Sequence, residues 1–181
     1  MQDSKEILSY PDNYNLHVCS SKGVDIFIRP LLQTDLDSLR EFLRSLSARS
    51  VYYRFMEPIT EFSERMLNRL IQVDHKNSIA LAAFDEKEPH DIIWGIARLY
   101  VSRDLFDAEF SIVVIDELQG KGIGAELFQR CIDLGKSMGV GKIWGLVLAE
   151  NIQMIKLARK LNFEVTLEPI SHEYFISRNF R

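Results

Sequence analysis

The clearest chemical pattern in this 181-residue chain is Gln119-Gly-Lys-Gly-Ile-Gly-Ala125, set between a strand-like run and a helix-like one. At such a junction, free backbone N–H groups and the positive end of a helix dipole favour a phosphate. Glycine permits both the turn and the close approach of an anion. Seven of the nine glycines fall between Gly120 and Gly145, so permissive backbone is concentrated in one stretch. Two familiar phosphate loops fit it poorly. A nucleotide triphosphatase loop needs GxxxxGK followed by Ser or Thr, and no such lysine comes after Gly124. A dinucleotide turn, GxGxxG/A, matches Gly120, Gly122 and Ala125, with Glu150 near the place of a ribose-binding acid. In that fold, however, the glycines follow the first strand almost at once, whereas Asp116 to Gln119 intervene here. The motif also begins after two-thirds of the chain, leaving too few residues for the remaining units.

The elements that must position this turn can be read from periodicity. Val24 to Arg29 reads as a strand stopped by Pro30. Thr34 and Asp37 have capping-box-like spacing before a helix with Leu36, Leu39, Leu43 and Leu46 on one face. A short helical segment, Ser50 to Met56, follows, and a helix from Ser63 buries Leu67, Leu70 and Ile71. Three strands then form an antiparallel meander: Ser78 to Phe84, Ile92 to Val101 and Glu109 to Ile115, with an acidic turn at Asp85 to Asp91. Beyond Gly124 a helix carries Leu127, Phe128, Cys131, Ile132 and Gly135. Lys142 to Leu148 reads as a buried strand, Asn151 opens a helix through Leu161, and Phe163 to Val165 and Glu173 to Ser177 are short strands. The pattern predicts a mixed α/β sheet in one domain, residues 23–181, after an N-terminal extension at residues 1–22.

Composition narrows the function. The net charge of -4 argues against nucleic-acid binding through overall charge. No run approaches the roughly 18 to 20 apolar residues needed to span a bilayer, and Met1 to Tyr10 lacks a secretory pattern, so no membrane partner is expected and a cytoplasmic protein is. Cys19 and Cys131 show no CxxC spacing, and Cys131 falls in an apolar helical stripe. His17, His75, His90 and His172 are scattered, so no metal site is expected.

Parsed as Gln119-x-x-Gly122-x-Gly124, the turn resembles the Q/R-x-x-G-x-G/A element of GNAT-type N-acetyltransferases. The likeness continues through Glu109-Phe-Ser-Ile-Val-Val-Ile115, Leu146-Val-Leu-Ala-Glu-Asn151 and Leu161-Asn-Phe163. Upstream, Ile28-Arg-Pro30 with Asp35, and Leu46-Ser47 followed by Ser50-Val-Tyr-Tyr-Arg-Phe55, resemble the acetyltransferase domain of bacterial protein lysine acetyltransferases. The likeness covers roughly Val24 to Leu167. It implies a mixed, mostly antiparallel α/β GNAT sheet with helices on both faces, and acetyl-CoA as co-substrate in a cleft between two splayed strands. The backbone of Val113, Val114 and Ile115 would pair with the pantetheine amides. Gln119 belongs to the turn, and the N–H groups of Gly120, Lys121, Gly122, Ile123, Gly124 and Ala125 would hold the pyrophosphate. Asn151 would hold the cofactor near its thioester and equally suits a helix cap. Lys121, Lys156, Arg159 and Lys160 are candidates to meet phosphate charge.

The resemblance also implies chemistry. Glu109 matches the glutamate that serves as general base, as against an exposed strand residue with no task. A lysine amine, with a pKa near 10.4, needs such a base before it can attack. The family's usual tyrosine, the acid for the leaving thiolate, is replaced by Ala158, and the usual glycine by Asn162. Water could suffice, since a thiol pKa is about 8.5. The acidic residues Asp104, Asp107, Glu109, Asp116 and Glu117 suit a cationic acceptor. Tyr52, Tyr53, Arg54 and Phe55 fall on the acceptor side, although an aromatic cluster at helical spacing also serves a core. The expected function is acetyl transfer to an amine, with a protein lysine favoured. A small-molecule amine acceptor, or a catalytically weak acyl-CoA sensor domain, is the alternative.

Overall fold

Strands alternate their side chains between two faces, and here both faces are covered. The computed structural model describes residues 10–87, 92–104 and 106–180. Its strands are β1 (Leu16–Cys19), β2 (Asp25–Pro30), β3 (Ser78–Asp85), β4 (Ile93–Val101), β5 (Asp107–Val114), β6 (Lys142–Leu148), β7 (Glu164–Glu168) and β8 (Glu173–Asn179). The helices are α1 (Leu36–Ser45), α2 (Ala48–Phe55), α3 (Glu64–Ile71), α4 (Ile123–Ser137) and α5 (Ile152–Lys160). One sheet runs β1-β2-β3-β4-β5-β6-β8-β7, antiparallel throughout except for the β5–β6 pair. This is the mixed, mostly antiparallel sheet expected from the sequence.

Alternation in β3 and β4 divides the core. Ile79, Leu81, Ala83, Ala97 and Leu99 join α4 and α5 residues such as Leu127, Phe128, Cys131, Ile155 and Ala158 in one cluster. Ala80, Ala82, Phe84 and Ile96 face the other way, onto Leu39, Phe42, Leu43, Leu67 and Ile71 of α1 and α3. Cys131 is fully buried and its thiol is pushed up by that burial, as suits a packing residue.

Two local expectations resolve differently. Thr34 and Asp37 do not form the capping box. Asp35 instead accepts from the Leu32 N–H at 2.8 Å and from two Arg29 nitrogens at 2.7 and 2.9 Å, with both side chains buried. A buried guanidinium requires such a partner, and this demand outweighs local helix capping. The segment read as an extension contributes β1, which pairs with β2 from Leu16↔Ile28 to Cys19↔Asp25. Within the acidic turn, residues 88–91 lie outside the described residues. Among the described residues, no helix is long and apolar enough to cross a membrane.

The β5–β6 pair positions the site. Its register holds only for Asp107↔Lys142, Ala108↔Ile143 and Glu109↔Trp144, after which the strands part. Immediately beyond, the Phe110 ring packs on Gly145, where an added Cβ would lie 2.7 Å from the ring. Phe110 is itself held by Phe128, at 4.5 Å between centroids, and by Phe163. The fork therefore opens where an aromatic wedge meets a strand residue without a side chain.

Candidate active site

A cleft of ≈ 580 Å³ occupies the fork. Its walls include Ile112, Val113 and Val114 of β5, the glycine turn, Tyr53 and Arg54 of α2, and Asn151, Met154 and Leu157 near the start of α5. The volume is typical of a small-molecule site.

Strand alternation decides which backbone groups face this cleft. Ser102 N–H donates to the Asp107 carbonyl, and Ile115 N–H donates to the Trp94 carbonyl. In an antiparallel ladder every second residue points its groups at the same neighbour, so 107, 109, 111, 113 and 115 turn theirs toward β4. Ile112 and Val114 turn theirs to the cleft. The expectation for Val113 and Ile115 is therefore corrected: the backbone groups of both turn toward β4, where Trp94 takes the Ile115 N–H, and the Val113 side chain packs on the α1 and α3 cluster. Val114 keeps its N–H on this edge, while its carbonyl accepts from Gln119 Nε2 at 3.1 Å. Ile112 takes the remaining place, and only knowledge of the β4 partner could have revealed it. Unpaired strand-edge groups of this kind suit an amide-bearing chain.

The glycine turn has the expected form with a narrower set of free donors. Gly120 (φ 75°) and Gly122 (φ 90°) both lie in the left-handed region, and Gly122 begins α4. Lys121 N–H is directed to the Leu118 carbonyl at 3.4 Å, and Ala125 N–H to the Gly122 carbonyl at 3.1 Å. Those two amides are therefore withdrawn from the expected cradle. Among the described residues, the N–H groups of Gly120, Gly122, Ile123 and Gly124 have no protein acceptor. Gly120 is exposed, whereas Gly122, Ile123 and Gly124 are half-buried or buried, and amides withdrawn in this way call for an anion or water. Of the candidate cations, Lys156 and Lys160 line the cleft, while Lys121 and Arg159 do not.

A side-chain network ties the turn to α2. Asp116 accepts from Ser47 N–H at 2.9 Å, Ser47 Oγ at 2.6 Å and Ser50 Oγ at 2.8 Å. Gln119 Nε2 donates to Ser50 Oγ at 2.9 Å and to the Val114 carbonyl at 3.1 Å. Gln119 thus braces the β5 edge from the protein side. Burial works against ionisation of Asp116, but the Ser47 and Ser50 hydrogen bonds and the Arg49 charge outweigh it and hold the carboxyl below its usual value. Asp116 is accordingly an anchor for the start of α2 and no longer counts toward acceptor attraction. Asp104 likewise accepts from Ser102 Oγ and Phe106 N–H within its own turn.

Asn151 caps α5, its Oδ1 accepting from Met154 N–H at 3.1 Å, and it also lines the cleft. Ala158 is fully buried in the core and offers no hydroxyl to the cleft. Tyr53 reaches across from α2, and its hydroxyl donates to the Glu150 carbonyl at 3.3 Å. Of its neighbours in sequence, Phe55 packs on Phe62 and Tyr52 is exposed.

Glu109 is exposed and is the last β5 residue paired with β6. Its ladder partner on β4 is Tyr100. The half-buried Arg54 stands over this face, where burial lowers its pKa and the charges of Tyr100 and Glu109 oppose that effect. Arg98, on the same face of β4, is buried and donates to the Leu70 carbonyl. Arg98 and Tyr100 carry no motif in the sequence; register alone brings them beside Ser111 and Glu109.

Comparisons with known proteins agree with this geometry. A family model described as an acetyltransferase (GNAT) domain matches residues 25–164. An acetyltransferase of Pseudomonas aeruginosa is 28% identical over 156 residues, covering 86% of this chain and 84% of that one. Spermidine N(1)-acetyltransferase of Escherichia coli is 28% identical over 158 residues, covering 85% of this chain and 80% of that one. The fold is similar to the crystal structure of the GNAT domain of S. lividans PAT, with a TM-score of 0.85 and 21% identity over 95% of this chain and all of that one. The free turn amides and the free β5 edge fit the phosphates and amides of acetyl-CoA, the co-substrate of this family. With a fork between β5 and β6, a turn of backbone amides at the start of α4 and a matching domain model, the chain belongs to the GNAT family and is an acetyl-CoA-dependent N-acetyltransferase.

Proposed function

We propose that the protein transfers acetyl groups to primary amines, with a protein lysine as the favoured acceptor and Glu109 as general base. The observation that carries this reading is that Glu109 stands exposed at the last paired position before the fork. A lysine ammonium, with a pKa near 10.4, must lose a proton before it can attack. The Glu109 carboxylate attracts the cation and takes that proton, directly or through one water. Acetyl-CoA supplies the activated acyl group. Gly120, Gly122, Ile123 and Gly124 hold its phosphates, Ile112 and Val114 its amides, and Asn151 and Gln119 support the walls around it. With Ala158 offering no acid, the departing sulfur is protonated from water, which is tolerable for a thiol with pKa of about 8.5.

A small polyamine is the second reading, favoured by the likeness to spermidine N(1)-acetyltransferase. The two are separated by measuring coenzyme A release with lysine-containing peptides, spermidine and an amino sugar. Turnover on the peptides is expected, and turnover on spermidine alone would overturn the lysine assignment. Glu109→Gln is expected to lower kcat about 10²- to 10⁴-fold while leaving acetyl-CoA affinity nearly unchanged. An unchanged kcat near neutral pH would remove Glu109 as the base.

A further inference from the structure

The turn that joins β1 to β2 lies against the glycine turn, more than a hundred positions away in sequence. Ser20 Oγ donates to the Lys121 carbonyl at 2.8 Å. Inside its own turn the same oxygen accepts from Lys22 N–H at 3.3 Å and Val24 N–H at 3.2 Å. Ser20 N–H donates to the Val24 carbonyl at 2.8 Å, and Gly23 N–H to the Ser20 carbonyl at 2.9 Å. Ser20 is only 5% exposed. The approach is close: a Cβ on Gly122 would lie 3.1 Å from Ser20 Cβ and 3.2 Å from Ser21 Oγ. Gly122 therefore serves two demands at once, a left-handed backbone and room for this second turn.

Ser21 and Lys22, at the tip of the β1–β2 turn, line the same cleft as the free amides of Gly120 to Gly124. Lys156 and Lys160 approach it from α5, and Glu150 is the one acidic residue on its walls among the described residues. Lys22, Lys156 and Lys160 form no ion pair among the described residues. The matched family region begins at residue 25, so that likeness assigns no role to this turn.

We infer that the β1–β2 turn is a second arm of the phosphate site, with Lys22 and the Ser21 hydroxyl binding a phosphate group of coenzyme A opposite the glycine turn. The inference rests on the cleft being the coenzyme A site. An ammonium and a hydroxyl aimed at phosphate form charge-assisted hydrogen bonds, and these are stronger than neutral ones. Docking through Ser20 holds the arm in place beforehand, which lowers the ordering cost of binding.

The test is calorimetric titration of the full chain with coenzyme A and with 3′-dephospho-coenzyme A, using wild type, Lys22→Ala, Lys22→Arg and Ser21→Ala. Lys22→Ala is expected to weaken coenzyme A binding roughly fivefold to tenfold, with Lys22→Arg close to wild type. Equal weakening for both ligands identifies the pyrophosphate as the partner, and weakening for coenzyme A alone identifies the 3′-phosphate. Wild-type affinity of Lys22→Ala for both ligands would overturn the second arm while leaving the cleft assignment standing. Failure of the wild type to bind coenzyme A would overturn both.

Discussion

A Cβ on Gly145 would meet the Phe110 ring at 2.7 Å, and the ring has no free direction because Phe128 and Phe163 pack around it. Gly145→Ala should therefore cost about 1–3 kcal/mol, as overpacking does in a filled core. Denaturant unfolding measures the loss, and Phe110→Leu in the same chain should recover part of it. A variant as stable as wild type would show that the wedge can move. Glu109 belongs to the same scale in a different way, since it is exposed and its replacement by Gln removes a proton acceptor without opening a cavity. The loss expected there is in kcat, with little change in stability.

At the scale of elements, α2 is held to the segment before the glycine turn by Asp116, through Ser47 and Ser50. The depressed Asp116 pKa gives a defined pH dependence. The group binds a proton less readily folded than unfolded, so its stabilisation is fully present above the unfolded value of about 3.9 and is lost as pH falls through the folded value. Asp116→Asn should cost roughly 1 kcal/mol at pH 7, the low end for hydrogen bonds to a charge because the carboxylate is partly solvated. The gap between variant and wild type should close below about pH 4. Unfolding curves at pH 7 and pH 3 check this, and a gap that stays constant would count against the anchor. Because Gln119 also bonds Ser50, acetyl-CoA affinity should fall with the same substitution.

For the whole molecule, the sheet consists of a five-stranded part, β1 to β5, and a three-stranded part, β6-β8-β7, joined directly by three register pairs. A ligand in the cleft touches β5 and the glycine turn on one side and α5, which follows β6, on the other. Binding to the folded state alone at one hundred times Kd contributes about 2.7 kcal/mol. For a chain of this size that corresponds to a rise in Tm of roughly 5–10 °C. Thermal unfolding with and without coenzyme A measures it, and no shift at saturating ligand would contradict a bridging site.

Sequence by itself determined the strands and helices from β2 to β8 and the glycine turn before α4, because each is written in local spacing, as apolar periodicity or a run of alternate glycines, whereas Glu109 stands out only through the family resemblance of its strand. Gln119, Gly122 and Gly124 stand out through the family resemblance of that turn, and Asn151 as the cap that opens α5. Tertiary structure alone decided which β5 groups are free, since the direction of Ile112 and Val114 depends on how β4 pairs. It also decided that Asp35 serves Arg29, that Asp116 serves α2, and that Arg54 joins the cleft wall. Ser20 meets the glycine turn, and Lys22 lines the same cleft, only because β1 joins the sheet beside β2. These are contacts between distant segments, and a hydrogen bond across a hundred positions leaves no periodic trace in either segment.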